Sequence, residues 1–298
     1  MILVDPPRWP AHDTVFSHLV SDTSLTELHD LAARIGLSPR AFDHDHYDLP
    51  QRLYDAAVAA GAVATEGEEL VRRLVASGLR VRTPDKTPTR DAARRLLPGH
   101  WARLGLGRDL YVELVTRWSG PHRHYHDVRH LAATLEALDL LEEDAASLPV
   151  VQLAAWFHDA VYEGVAGVDE QHSADLARRM LSDLPSHDVN EVARLVLLTA
   201  GHDPAPGDAS GEALCDADLS ILGATPGRYD VYVRDVRLDY AVVDDAFWAV
   251  GRTTVLDSLL ALDPLYRTAT GRQLWQERAL ENLQREHARW AGGPARPA

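Results

Sequence analysis

From about residue 109 to residue 290 the chain repeats one pattern. Apolar residues recur with a 3.6-residue period in nine stretches, at roughly 109–118, 128–143, 149–162, 170–183, 188–199, 212–222, 228–243, 246–262 and 271–290. None of these stretches alternates as a half-buried strand does, so helices packed on helices are what this part can form. Gly120-Pro121, Pro149, Pro185, Pro226-Gly227 and Pro264 fall between them as breakers. The start of the chain differs. Short apolar runs (Ile2 to Val4, Val15 to Val20, Ala62 to Ala64) alternate there with helical patterns (Ser24 to Ile35, Pro50 to Ala60, Glu66 to Ala76), the order of a small α/β unit. Between the two parts, Arg82 to Arg90 carries two prolines and three threonines and breaks every period. The expected organisation is mainly α: a small α/β domain at 1–85, a linker at 86–94, an all-helical domain at 95–291 and a disordered tail at 292–298.

A chain of 298 residues suits two domains, and 46% hydrophobic with 25% charged residues is ordinary globular usage. The formal charge is -15; residues 1–95 hold 12 basic and 14 acidic residues and the remainder 18 and 31. Such acidity disfavours a DNA-binding role, because phosphates are held by basic footprints. The single cysteine, Cys215, has no internal partner for a disulfide, and the opening MILVDPPRWPAHD lacks the basic and apolar regions of a secretory signal. No apolar run approaches the roughly 20 residues of a membrane span. A cytoplasmic protein without a membrane role is the expectation; the sequence sets no oligomeric state.

The residues that could carry chemistry fall into three clusters. Four histidines lie in Gly120-Pro-His-Arg-His-Tyr-His-Asp-Val-Arg-His130, of which His126 and His130 stand four apart, so that a helix beginning near His126 would put both rings on one face. His158-Asp159 ends an otherwise apolar helical stretch, where an aspartate needs a partner or a cation. Neighbours on a helix diverge by about 100°, which lets both side chains reach a third atom between them, and a metal is such an atom. In Glu212 to Leu222, Asp218 has Leu214, Ile221 and Leu222 on its face and reads as the buried carboxylate; Asp216 shares its face with Glu212 and Ser220. Asp169 reads as a helix N-cap with Glu170 complementing the dipole, and His202 as a loop residue or a metal or phosphate ligand. Phosphate-loop, dinucleotide and nucleophile-elbow motifs are missing.

The series His130, His158-Asp159, Asp218 resembles the HD-domain superfamily of metal-dependent phosphohydrolases. A bacterial subgroup of predicted HD phosphohydrolases is similar over roughly 95–290, through Arg123 to His126, Ala155 to Asp159, Asp169-Glu170, Asp216 to Gly223 and Gly251-Arg252. Tyr125-His126 followed by His130 is also similar to a motif of cyclic-nucleotide phosphodiesterases whose first histidine protonates the leaving oxygen; Asp127 stands here in place of that motif's asparagine. The first part is similar to an uncharacterised domain, domain of unknown function 4031, through Val4-Asp5, His18 to Asp22, Glu27 to His29, His46 to Asp48 and Gly61-Ala62.

The resemblance implies a phosphoric ester hydrolase acting on a nucleotide or other small phosphorylated metabolite. It implies a divalent ion (Mn, Fe, Co, Mg or Zn) on His130, His158, Asp159 and Asp218, which would activate water and neutralise phosphoryl charge. His126, or Glu170, would then donate a proton or position water, and Arg123, Arg129, Arg252 and His202 would bind substrate. The alternatives are a non-catalytic nucleotide-binding regulator and a di-iron oxygenase, whose additional histidines could come only from His202 and one further partner.

Overall fold

The computed structural model of the chain describes residues 1–143, 145, 148–165 and 167–291. The expected tail at 292–298 lies outside the described residues. The chain divides into two compact units, Met1–Lys86 and Thr87–Ala298.

The first unit is a six-stranded sheet with three helices. Its strands are β1 (Ile2–Val4), β2 (Trp9–Ala11), β3 (Thr14–Ser21), β4 (Phe42–Asp43), β5 (His46–Pro50) and β6 (Val63–Ala64). The order is β4-β5-β3-β1-β6, with β2 on β3; β1 and β6 are parallel and the other pairs antiparallel. Helices α1 (Leu25–Arg34), α2 (Tyr54–Ala59) and α3 (Gly67–Ala76) complete it. Strand alternation divides the apolar residues between two faces. Ile2, Val4, Leu19, Tyr47 and Leu49 pack with Leu28 and Leu31 of α1 and Ala57 of α2. Leu3 and Val20 point the other way, onto Leu70 and Leu74 of α3. Strands β2, β4 and β5 are additions to the expected elements. Each is short, and β5 (His-Tyr-Asp-Leu-Pro) carries polar residues on one face and ends in proline, so it has no apolar run to announce it.

The second unit holds ten helices among the described residues: α4 (Arg90–Leu104), α5 (Arg108–Trp118), α6 (Val128–Leu140), α7 (Leu148–Phe157), α8 (Val168–Met180), α9 (Ser186–Leu198), α10 (Ala209–Asp218), α11 (Pro226–Asp239), α12 (Asp245–Leu260) and α13 (Ala269–Ala291). The expected linker at 86–94 is corrected here, since α4 begins within it at Arg90. Thr89 accepts from the Ala92 N–H at 3.1 Å as N-cap, and Pro88 precedes the cap, where a proline costs the helix nothing. Pro98 inside α4 hid the period. Helix α7 is apolar on every side and runs through the centre of a core that includes Trp118, Leu131, Leu135, Val196 and Leu214. A second core gathers Tyr229, Leu256, Tyr266 and Leu283 from α11, α12, α13 and the turn before α13.

Candidate metal centre

Asp127 caps α6 by accepting the Arg129 N–H at 2.8 Å, and Arg90 Nε braces the same carboxylate at 2.7 Å. The helix therefore starts at Val128, not near His126, and His130 sits in its first turn. His158 keeps the last α7 hydrogen bond, N–H to Ala154 O at 2.9 Å, while its Nδ1 donates to Ala155 O at 2.8 Å. A carbonyl only accepts, so Nδ1 carries a proton and Nε2 is the ring atom turned toward the two carboxylates. Asp159 lies just past the helix end, and Asp218 is the last residue of α10.

Four donor atoms converge. His130 Nε2 is 3.2 Å from His158 Nε2, 2.9 Å from Asp218 Oδ1 and 4.0 Å from Asp159 Oδ2. His158 Nε2 is 3.4 Å from each of the two carboxylates. His202, in a loop with φ of 51°, places Nε2 2.8 Å from the other oxygen of Asp218. Trp118 closes the back of the site, its ring 5.3 Å from that of His158, and Tyr125 stands 4.8 Å from that of His130.

Burial opposes charge on His130, His158 and Asp218, yet the carboxylates prevail at His158: Asp159 and Asp218 hold its pKa up at about 9. Burial wins at His130, whose pKa is pushed down despite Asp218. Asp218 is held well below the usual carboxylate range because His158, His130 and His202 outweigh its desolvation. The cluster thus stabilises one positive charge at its centre. Two imidazole nitrogens and two carboxylate oxygens fit a borderline divalent ion in place of that proton; the nitrogens favour Mn, Fe, Co or Zn over the oxygen-seeking Mg.

His126 lies beside the cluster, ring centroids 5.7 Å from His130, on a loop rather than a helix face. Asp239, at the end of α11 and missed by sequence reading, holds it: Oδ2 accepts from His126 Nδ1 at 2.7 Å. The same carboxylate accepts the backbone N–H groups of His124, Tyr125 and His126. Only its position at a helix end marked it, 113 residues from its partner. His126, His130, Asp159, Glu170, His202 and Asp218 line one cavity of about 450 Å³, whose remaining wall is mainly apolar, with Leu222, Tyr232, Val236, Trp248 and Val255.

The three arginines expected to hold substrate are committed to the fold. Arg123 is 2% exposed, donates to His126 O at 2.7 Å and lies between the Trp118 and Tyr162 rings. Arg129 binds Asp127 and the His124 carbonyl and lines a different cavity. Arg252 reaches the 450 Å³ cavity but is 5% exposed and forms a two-pronged pair with Glu286, at 2.8 and 2.9 Å. Glu170 also lines the cavity, with Oε2 accepting the Gly167 N–H at 2.6 Å at the start of α8. Asp169 is not the N-cap; it accepts from the Glu163 and Val165 N–H groups and ties that loop. Asp216 is buried, contrary to its expected polar face, because the loop before α13 covers it: it accepts from Arg267 N, Thr268 N and Thr268 Oγ1 at 2.7–2.9 Å.

Compared with known proteins, residues 2–77 match the model of a protein family of unknown function, DUF4031, in agreement with the resemblance of the first part. No curated protein and no solved structure matches the chain.

Proposed function

We propose that the second unit is a metal-dependent phosphohydrolase that cleaves a phosphate ester of a nucleotide or other small phosphorylated metabolite. The observation that carries this reading is that Asp159 and Asp218 each come within 4.0 Å of both His130 and His158, from three separated stretches of chain, with His130, Asp159 and Asp218 on the wall of a cavity. Their likeness to the HD superfamily adds support. A bound divalent ion would supply an activated water and neutralise phosphoryl charge. His126 then gives a proton to the leaving oxygen from Nε2, since Asp239 holds Nδ1. His202 fixes the second oxygen of Asp218 and with it the direction of the first. The apolar wall takes the part of the substrate that is not phosphate and excludes water.

A test loads the metal-free protein with Mn²⁺, Co²⁺, Fe²⁺ or Zn²⁺, measures metal per chain and screens phosphate esters. His126→Ala should keep the metal and lower turnover roughly 10²-fold or more. Less than about 0.1 ion per chain under all four metals, for a donor set that binds such ions well, sinks the proposal. The contact of His202 with Asp218 is also what an HD-type di-iron oxygenase would use; iron with a visible absorption band in the purified protein, and no esterase activity, selects that reading.

A further inference from the structure

The first unit contains a second constellation with the chemistry of a metal site, unrelated to the cluster of the second unit. Strands β3 and β5 pair antiparallel with His18 opposite Asp48 and Leu19 opposite Tyr47. Strand alternation puts His18, Asp48 and His46 on one face, with Leu19, Tyr47 and Leu49 in the core beneath. Farther along that face α3 covers Val20. One ligand atom from each of His18, His46 and Asp48 lies within 4.8 Å of the others.

The arrangement around the rings is the second observation. His18 Nδ1 is held at 2.9 Å by Asp5 Oδ2, and His46 Nδ1 at 2.7 Å by Asp45 Oδ1. Both carboxylates are buried and anchored by backbone: Asp5 Oδ1 accepts the His18 N–H, and Asp45 Oδ2 accepts the Val81 N–H at 2.6 Å. A carboxylate accepts, so each ring carries a proton on Nδ1 and turns Nε2 away from its carboxylate. Two histidines, each oriented by its own buried carboxylate, reproduce the outer-shell pattern found behind metal-ligating imidazoles. His46 Nε2 stands 3.6 Å from Asp48 Oδ1, too far for a hydrogen bond and close to the roughly 3–3.5 Å between two ligands that share an ion about 2.1 Å from each. Asp48 is 52% exposed and the His18 side chain 31%, which leaves solvent access on one side.

We infer that His18, His46 and Asp48 form a binding site for a divalent transition metal, with Asp5 and Asp45 orienting the two histidines. Two imidazoles and one carboxylate with open positions suit Zn²⁺, Fe²⁺, Co²⁺ or Mn²⁺.

The test is a Zn²⁺ titration of the full chain, free of any histidine tag, against a competing chromophoric chelator. It compares wild type with His18→Gln, His46→Gln and Asp48→Asn. Circular dichroism confirms folding, and Asp48, being exposed, carries little risk to it. Wild type should bind one more equivalent than either histidine variant, and Asp48→Asn should weaken that equivalent at least tenfold. His158→Ala should lose a different equivalent, and His46→Gln combined with His158→Ala should lose both, so failure at one centre is readable apart from the other. The inference is overturned by an unchanged zinc count in both histidine variants, or by an Asp48→Asn isotherm identical to wild type.

Discussion

Replacing Asp239 by asparagine separates a held histidine from one that merely lies nearby. The wild-type carboxylate is fully buried, and its two oxygens serve four donors: the backbone N–H groups of His124, Tyr125 and His126 and the imidazole Nδ1 of His126. Asparagine retains one acceptor and turns the other oxygen into an NH₂ that faces N–H groups. A hydrogen bond to a charged acceptor contributes about 1.5–3 kcal/mol, and an orphaned buried donor costs about 1–3 kcal/mol, so a combined loss of about 3 kcal/mol is expected. For a unit of this size each kcal/mol moves Tm by about 2–4 °C, which gives a fall of about 6–12 °C at pH 7 by circular dichroism. The pH dependence has a definite sign. Burial would raise the Asp239 carboxyl, but the His126 imidazole and the backbone N–H groups outweigh it and hold it below its ordinary 3.8. Its stabilisation is therefore complete above the ordinary value and is lost as pH falls through the lower, folded-state value. Asp239→Asn has no such proton to gain, so the two Tm curves converge in acid. Turnover should fall at least tenfold with metal content unchanged, because Nε2 is no longer aimed. A Tm within about 2 °C of wild type at pH 7, or a gap that stays constant into acid, refutes the reasoning.

Asp218→Asn should abolish metal binding, and with it the rise in Tm on adding metal, as followed by thermal denaturation; an undiminished rise would count against Asp218 as a ligand. Asp216→Asn should keep the metal but destabilise by about 1–3 kcal/mol, because it sets an NH₂ against the Arg267 and Thr268 N–H groups; denaturant melts check this. Arg252→Met should lower stability by about 3–5 kcal/mol by stranding Glu286, with little change in KM in surviving protein; a KM effect without a stability effect would restore it as a phosphate ligand. Because the arginines tested above are engaged, the cavity should prefer monophosphate esters to triphosphates, which a comparison of kcat/KM for the two forms of one nucleoside checks.

Helices α5 to α13 were legible because their apolar residues recur without strand alternation between proline and glycine breakers, whereas α4 was hidden by Pro98 and by the prolines ahead of its cap. Of the candidate site, His130, His158, Asp159 and Asp218 could be read because polar residues on apolar helices demand partners. The environment of the arginines could not be read. A guanidinium's partner is set by tertiary neighbours such as Glu286 on a distant helix, and sequence offers no periodic signal for that. Asp216 shows the limit of helical phase: its polar face is real on α10, but the loop before α13 folds over it. Asp239 and strand β5 share one cause, since each has meaning only through a partner far along the chain.

The cavity has a division that bears on how its selectivity could change. Every residue of the donor cluster, and His202 with it, precedes residue 219, while much of the apolar wall (Tyr232, Val236, Trp248, Val255) comes from α11 and α12. Those two helices can be varied, by exchange or by random substitution, to reshape what the cavity accepts while the donors keep their places on α6, α10 and the end of α7. Asp239 is the exception: it belongs to α11 but works for the loop of His126, so a library that spares this one aspartate preserves the reactive end while the receptive end drifts.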